Sequence, residues 1–537
     1  MTGPHVVVIG GGISGLATAA LLARGGAEVT VLERNAAVGG RASRLVADGF
    51  RFDTGPSWFL MSEAFEQFFS LLGRSLDEEL DLVDLDTHYR VYFEGPSPDG
   101  AGERLDVTAD PERNWAAFEA ISPGEGAAMR RYAADARRLY GLALDRFLYT
   151  TFRSPLRVLD ATVLRSSARL PPLLLRSLHD HIARRVRDPR LRQVLGFHAV
   201  FLGSSPRRAP ALFALMSHLD LGDRVRYPRG GLYAVIEAVE RAAVAEGARI
   251  RTSAPVEAIL THDGLATGVR LESGEQLDAD IVIGATDIHH VETQLLAPRD
   301  RTLDEAAWRR RTPGVSALLA FIQADGPLPE LSHHTLFFSR DWDGNFAAIA
   351  SRDIPPHPAS IYISRTSATD PDAAPPGKEA LVMLVPFPAD EALGASEESR
   401  ARVRAHAERY LAQAGAWAGV PDLPSRARIV ELLTPADFAN RVHAWRGSAL
   451  GLEHTLAQSA MFRPRNVSRR LPNLVYAGAS TVPGVGLPMC LISAELAIKR
   501  ILGDTSATAT PGDLRPGFLA GARGRGTLAR IARGERR

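Results

Sequence analysis

An α/β protein is what this sequence predicts, with a parallel sheet assembled from distant segments and an α+β unit inserted between them. Three observations carry that expectation. At 537 residues the chain is too long for one hydrophobic core. Its N-terminal segment runs strand, glycine turn, helix, strand, the order of a βαβ unit. Further buried-strand runs that fit the same sheet recur only far downstream, so returning chain has to complete it.

The elements follow in order. His5 to Ile9 is an apolar, β-branched run, read as a buried parallel strand. Ile13 to Ala23 reads as a helix stopped at Gly25-Gly26, and Glu28 to Leu32 as the second strand. Val6 to Ala23 is uncharged over eighteen residues, the length of a short membrane span. Three consecutive glycines interrupt it and no basic segment precedes it, so neither a signal peptide nor a transmembrane helix is expected. From about Asp110 to Asp220 the chain is rich in Arg, Leu and Ala at helical spacing. Leu232, Val235, Ile236 and Val239 form one helix face closed by Gly247, followed by a strand at Ala248 to Thr252. Val256 to Leu277 reads as hairpins turning at Asp263-Gly264 and Ser273-Gly274. Asp280 to Ala285 and Leu474 to Ala477 are further strands, the latter leading through a glycine loop into a helix from Pro488 to Leu502. The expected organisation is a nucleotide-binding domain from 1–110, 222–290 and 440–503, a helical subdomain at 111–221, a substrate domain at 291–439 and a disordered basic tail at 504–537.

Composition excludes several classes. A formal net charge of +1 gives no footprint for nucleic acid. The lone cysteine, Cys490, excludes an intrachain disulfide and a Cys-rich metal site, and a reducing cytoplasmic setting is expected; no metal is.

Gly10-Gly11-Gly12-Ile13-Ser14-Gly15 satisfies G-x-G-x-x-G between a strand and a helix. Gly10 permits the tight turn, Gly12 lets a pyrophosphate approach the backbone, and Gly15 lets helix and strand pack closely. The helix N-terminus offers unpaired N–H groups and a partial positive charge to phosphates. Glu33 stands eighteen residues after Gly15, where a carboxylate accepts from a ribose and repels a 2′-phosphate, disfavouring NADP. The unit is therefore Rossmann-like. Val38-Gly39-Gly40-Arg41 follows, with a guanidinium placed for phosphate or flavin oxygens. This G-G-R resembles the amine oxidase and phytoene desaturase superfamily, which implies FAD rather than NAD. No second such glycine motif follows a strand, so the electrons are expected to leave for oxygen or a quinone.

Longer segments sharpen the resemblance. Gly49 to Ser57, Leu191 to His198, Tyr227 to Gly231, Gln458 to Asn466 and the Tyr476 to Pro488 loop are similar to bacterial phytoene desaturases, up to about residue 502. That resemblance implies FAD-dependent removal of hydrogens from phytoene toward lycopene. It places Gly10, Gly12, Gly15, Glu33, Gly40, Arg41, Gly55 and Pro56 along the FAD, Val256 at its adenine side, and Gly478, Gly486, Leu487 and Met489 at the isoalloxazine. A 3,4-desaturase, diapophytoene desaturase, ketolase or isomerase of the same fold is the alternative, and a non-catalytic flavoprotein or carotenoid carrier the second.

A hydrocarbon substrate calls for a long apolar tunnel. Residues 145–188 hold nine Arg against four Asp, interleaved with Phe147, Leu148, Phe152, Leu156, Leu164 and Leu173 to Leu175, the pattern of a helix lying on an anionic membrane or of an Arg-rich solvated helix whose Leu residues are core. A peripheral position on the inner face of the cell membrane is expected. For acid–base work the candidates are Asp160 and Arg165, whose spacing differs from the Asp/Arg pair of the family, and Glu453. His333-His334 is expected in a loop, and Cys490 as a buried small residue behind the flavin.

Overall fold

The computed structural model describes residues 3–97, 100, 102–153, 170–522 and 527–532. Asp160 and Arg165 lie outside them.

The glycine-turn unit forms as its sequence dictates. His5–Ile9 and Glu28–Leu32 pair in parallel, His5 against Glu28 through Ile9 against Leu32, with the helix Ile13–Arg24 between them. Ile281–Gly284 pairs on the other side of the first strand, Leu474–Tyr476 beyond it, and Arg249–Arg251 closes the opposite edge. All five strands are parallel, and they come from residues 5–32, 249–284 and 474–476. The helices Ile13–Arg24, Tyr233–Ala245 and Leu487–Leu502 share one core against this sheet, while Ile492 and Leu496 of the last pack instead with Ala64, Tyr149 and Val482. The hairpins at Val256–His262, Leu265–Leu271 and Gln276–Asp278 form a separate antiparallel sheet.

A second unit is built on a seven-stranded sheet. Its long centre pairs Ser316–Asp325 with Lys378–Phe387, and Thr87–Phe93 lies parallel to His334–Phe338 at its far side. The first nucleotide-binding piece therefore ends before Thr87, not at 110: Thr87–Phe93 and Arg104–Thr108 pair in the substrate unit. His334 opens a wholly buried strand, His334–Phe338, rather than lying in a loop, and His333, in the bend just before it, is buried as well. The tail is also corrected over its described part. Residues 527–532 form a helical turn, and Leu519, Leu528, Ala529 and Ala532 enter the core of the nucleotide unit because they supply an apolar stripe. No helix among the described residues is long and apolar enough to cross a membrane.

Candidate functional site

A cavity of about 590 Å³ runs from the glycine turn into the second unit. At one end it is lined by Gly10, Gly12, Glu33, Gly40, Arg41, Gly55, Pro56, Val256, Gly478, Gly486, Leu487 and Met489. These are all but one of the residues expected to line the cofactor. Gly15 lies behind the wall, where a Cβ would stand 2.0 Å from the Gly10 carbonyl oxygen, so its lack of side chain serves packing.

The local geometry is that of a phosphate cradle. Gly10 has φ 107°, a conformation that favours glycine, and its N–H donates to the Leu32 carbonyl at 2.8 Å. A Cβ built on Gly12 meets nothing within 4 Å, so the turn presents open space to a ligand. Gly12 caps the following helix without a side-chain hydrogen bond, and the first turn holds no acidic residue. Its unpaired N–H groups are left for an anion. Glu33 is buried, with one carboxylate oxygen accepting from the Gly11 N–H at 2.8 Å and the other from Asn35 N–H and Nδ2 at 2.8 and 2.7 Å. Arg41 reaches Asp287 through Nη2 at 3.3 Å, while its Nε is buried without a hydrogen-bond partner, a donor awaiting an acceptor. A second helix N-terminus, Gly486 before Leu487–Leu502, enters the same cavity and also lacks a side-chain cap. Open glycine surface, a ribose-ready carboxylate, an unpartnered guanidinium N–H and two helix N-termini fit a dinucleotide cofactor.

The loop between Tyr476 and Leu487 is held from behind by Arg463 and Asn466, to which no sequence pattern assigns a role. Arg463 is 2 % exposed and donates to the carbonyls of Leu452, Gln458, Ala479 and Thr481 at 3.2, 3.1, 2.7 and 3.0 Å. Burial lowers its pKa to about 9. Asn466 Nδ2 donates to the Val482 carbonyl at 3.0 Å and lies 3.1 Å from the Ser493 hydroxyl. A cluster of backbone carbonyls facing one buried guanidinium has no local sequence pattern, which is why the Gln458–Asn466 segment was legible only by resemblance.

Asp53, in the Gly49–Ser57 segment, is buried and accepts from the N–H groups of Leu232 and Tyr233 at 2.9 and 3.1 Å, at the start of the helix Tyr233–Ala245. Desolvation raises its pKa to about 6. A Cβ on Gly231 would come within 2.7 Å of that carboxylate, so the glycine is what lets the helix seat on it.

Glu453 is not placed for proton transfer to the cavity. Its carboxylate is buried between Ser204 Oγ at 2.8 Å and Arg208, which holds it in a two-pronged pair at 2.7 and 2.8 Å. Its neighbour His454, unremarked in the sequence, does line the cavity. Cys490 lines it too, and burial pushes its thiol up to about 12, so it stays protonated. No group of His, Cys, Asp or Glu among the described residues is arranged to hold a metal ion.

Away from the glycine turn the cavity becomes an apolar arm. Trp58, Phe147, Leu148, Phe152, Phe201 and Leu336 are among its walls. Three of these come from the stretch read as a membrane face, so part of that face turns inward. Charged side chains on the lining, among them Glu33, Arg34, Arg41, Asp287 and Arg441, gather at the glycine-turn end.

Comparison with known proteins agrees with this geometry. Residues 13–502 match the family described as flavin containing amine oxidoreductase. A carotenoid 3,4-desaturase of Haloarcula japonica is 37% identical over 94% of this chain and 99% of its own. A zeta-carotene-forming phytoene desaturase of Myxococcus xanthus is 36% identical over 93% and 94%, and a phytoene dehydrogenase of Streptomyces griseus 35% identical over 94% and 96%. Among solved structures, an oxidoreductase from Methanosarcina mazei shares the fold at a TM-score of 0.58 and 18% identity, covering 92% of this chain and 100% of that one.

Proposed function

The chain belongs to the flavin containing amine oxidoreductases and binds FAD, and from that premise we propose that it is a carotenoid desaturase whose first substrate is phytoene. The observation that carries this reading is the single cavity that joins a nucleotide cradle to an apolar arm with its charges left behind. An amine or other charged substrate would require a buried partner in the arm. A polyene requires only shape and apolar contact.

In this reading Gly10, Gly12 and the Ile13–Arg24 N-terminus hold the pyrophosphate, Glu33 the ribose and Val256 the adenine side. Gly40, Arg41, Gly55 and Pro56 would line the same cofactor, and Gly478, Gly486, Leu487 and Met489 would face its isoalloxazine. Bound flavin supplies the two-electron, hydride-accepting chemistry. The chain's own part is to hold the allylic carbon of the substrate against it, to exclude water with aromatic walls, and to stabilise growing negative charge with the Leu487–Leu502 N-terminus. The electrons then pass to oxygen or a quinone.

The polyene enters from a membrane surface on which the protein docks peripherally. Leu175 is 78% exposed, and Met461 and Phe462 are 56% exposed next to Ser459 and Ala460, which line the cavity. Exposed apolar side chains beside the lining of an apolar passage suit a lipid-dissolved substrate.

Expression in a phytoene-accumulating bacterium tests the reading by the absorption spectrum of the product. A red, lengthened chromophore supports it. Unchanged phytoene with a new chromophore only when a preformed carotene is supplied would assign a later desaturation instead, as in the 3,4-desaturase relative. A flavin that stays oxidised without oxygen in the presence of every carotene offered refutes the desaturase reading, and favours a carrier.

A further inference from the structure

We propose that His454 is the catalytic base that takes the proton lost from the substrate carbon next to the one that gives up its hydride. The inference deepens the desaturase reading and rests on it. Removing two hydrogens from a CH–CH unit sends one away as hydride with its electron pair, to the flavin. The neighbouring C–H bond must break the other way: its electron pair becomes the second bond of the new C=C, and its proton needs an acceptor.

Few side chains on the apolar arm could receive it. Tyr140 donates its hydroxyl to Glu63, and the Tyr362 hydroxyl is paired with His334 Nδ1 at 2.7 Å. The Cys490 thiol has no acceptor capacity to match a thiolate, since burial keeps it protonated. His290 and His443 line the opposite, nucleotide end, stacked on each other at 3.7 Å.

His454 differs in the one respect that matters. Its Nδ1 stands 3.0 Å from the Leu202 carbonyl oxygen, which can only accept, so Nδ1 carries the hydrogen. In the neutral ring Nε2 is then the bare lone pair. That atom makes no hydrogen bond among the described residues, and the side chain is on the cavity wall. It abuts the flavin-side loop: a Cβ built on Gly484 would stand 2.3 Å from Nε2, so the imidazole has its place only because residue 484 is glycine. The ring is fixed edge to face against Phe213, with centroids 5.6 Å apart. Burial and the Arg463 guanidinium hold its pKa well below the ordinary histidine value, which keeps Nε2 free to accept and returns the proton once the product has left.

The test compares His454→Asn and His454→Phe with the wild-type holoenzyme. Asparagine keeps an N–H where Nδ1 stands, so the tether to Leu202 survives while the base is gone; phenylalanine removes both. Flavin content and polyene binding, read by quenching of protein fluorescence with phytoene in liposomes, should match wild type in His454→Asn. Flavin bleaching without oxygen should slow by about 10²- to 10⁴-fold, with the loss in kcat and not in KM. Deuterium at the proton-losing carbon should slow the asparagine variant more than wild type, a response that a packing role would not produce. Bleaching of His454→Asn within threefold of wild type overturns the proposal, as does a slowing matched by lost polyene or flavin binding. Should asparagine fail to fold, the same comparison is made with His454→Phe. A wild-type flavin that no carotene bleaches instead removes the desaturase reading itself.

Discussion

Gly12 and Gly15 sit three residues apart in one motif, yet the structure predicts opposite consequences for the same substitution. At Gly15 an alanine Cβ would lie 2.0 Å from the Gly10 carbonyl oxygen and 3.2 Å from Ala285 Cβ. Backbone cannot swing away as a side chain tip can, so the helix has to lift from the sheet by about 1 Å to restore van der Waals contact. Overpacking of that kind costs about 1–3 kcal/mol. At Gly12 the same Cβ meets no protein atom within 4 Å, and φ is −74°, which alanine adopts freely. Gly12→Ala should leave the flavin-free protein as stable as wild type, or firmer by about 0.5 kcal/mol through the unfolded chain. Its methyl group intrudes on the phosphate path instead, and a loss of about 1.4 kcal/mol or more there is a tenfold or greater fall in affinity. Denaturant midpoints of the stripped proteins, with FAD titration followed by fluorescence, measure both quantities. A Gly12→Ala protein with wild-type FAD affinity, or a Gly15→Ala protein with a wild-type midpoint, would refute this division of labour.

Arg463→Met leaves four buried carbonyls without their donor and should cost about 3 kcal/mol or more, with weakened flavin retention, read by denaturation and bound-flavin absorbance. Asp53 has a folded pKa of about 6, raised from an ordinary value near 3.8. The folded state therefore holds that proton more tightly than the unfolded one, so the stability due to it is full below pH 3.8 and is lost as pH rises through about 6. Asp53→Asn should remove that downward slope from a stability–pH curve, and an unchanged slope between pH 4 and 6.5 would show that another group causes it. Met461→Asp with Phe462→Asp should abolish flotation with anionic liposomes while leaving bound flavin unaltered; undiminished flotation would locate the membrane contact elsewhere.

The parts that could be read without a structure are those whose cause is local. His5–Ile9, Gly10 to Gly15 and Glu28–Leu32 each announce themselves within a few residues, because strand burial, positive φ and helix start are all settled by near neighbours. Thr87–Phe93 reads as part of the wrong unit for the converse reason: its parallel partner begins at His334, and nothing in the intervening chain encodes that pairing. His333-His334 reads as a polar loop by composition, but Tyr362 and Thr369 supply the hydrogen bonds that let both rings enter the core. Glu453 reads as an acid–base candidate ahead of the Gln458–Asn466 segment, and only Arg208 and Ser204, close in space, reveal that it is spoken for. The Gly, Ala and Arg content of the tail reads as disorder, whereas the groove beside Gly25 that receives Leu519 is a property of the folded surface.

The order of strands in the parallel sheet also sets a timetable. Leu474–Tyr476, the last of them to leave the ribosome, is the one that covers Ile281–Gly284 and carries the chain into the loop facing the cradle. Until it arrives, the nascent protein has a glycine turn but only half a pocket, with the edge of Ile281–Gly284 bare. On the proposed cofactor site, a chain cut anywhere before Tyr476 should emerge colourless and prone to pair its open strand with a neighbour.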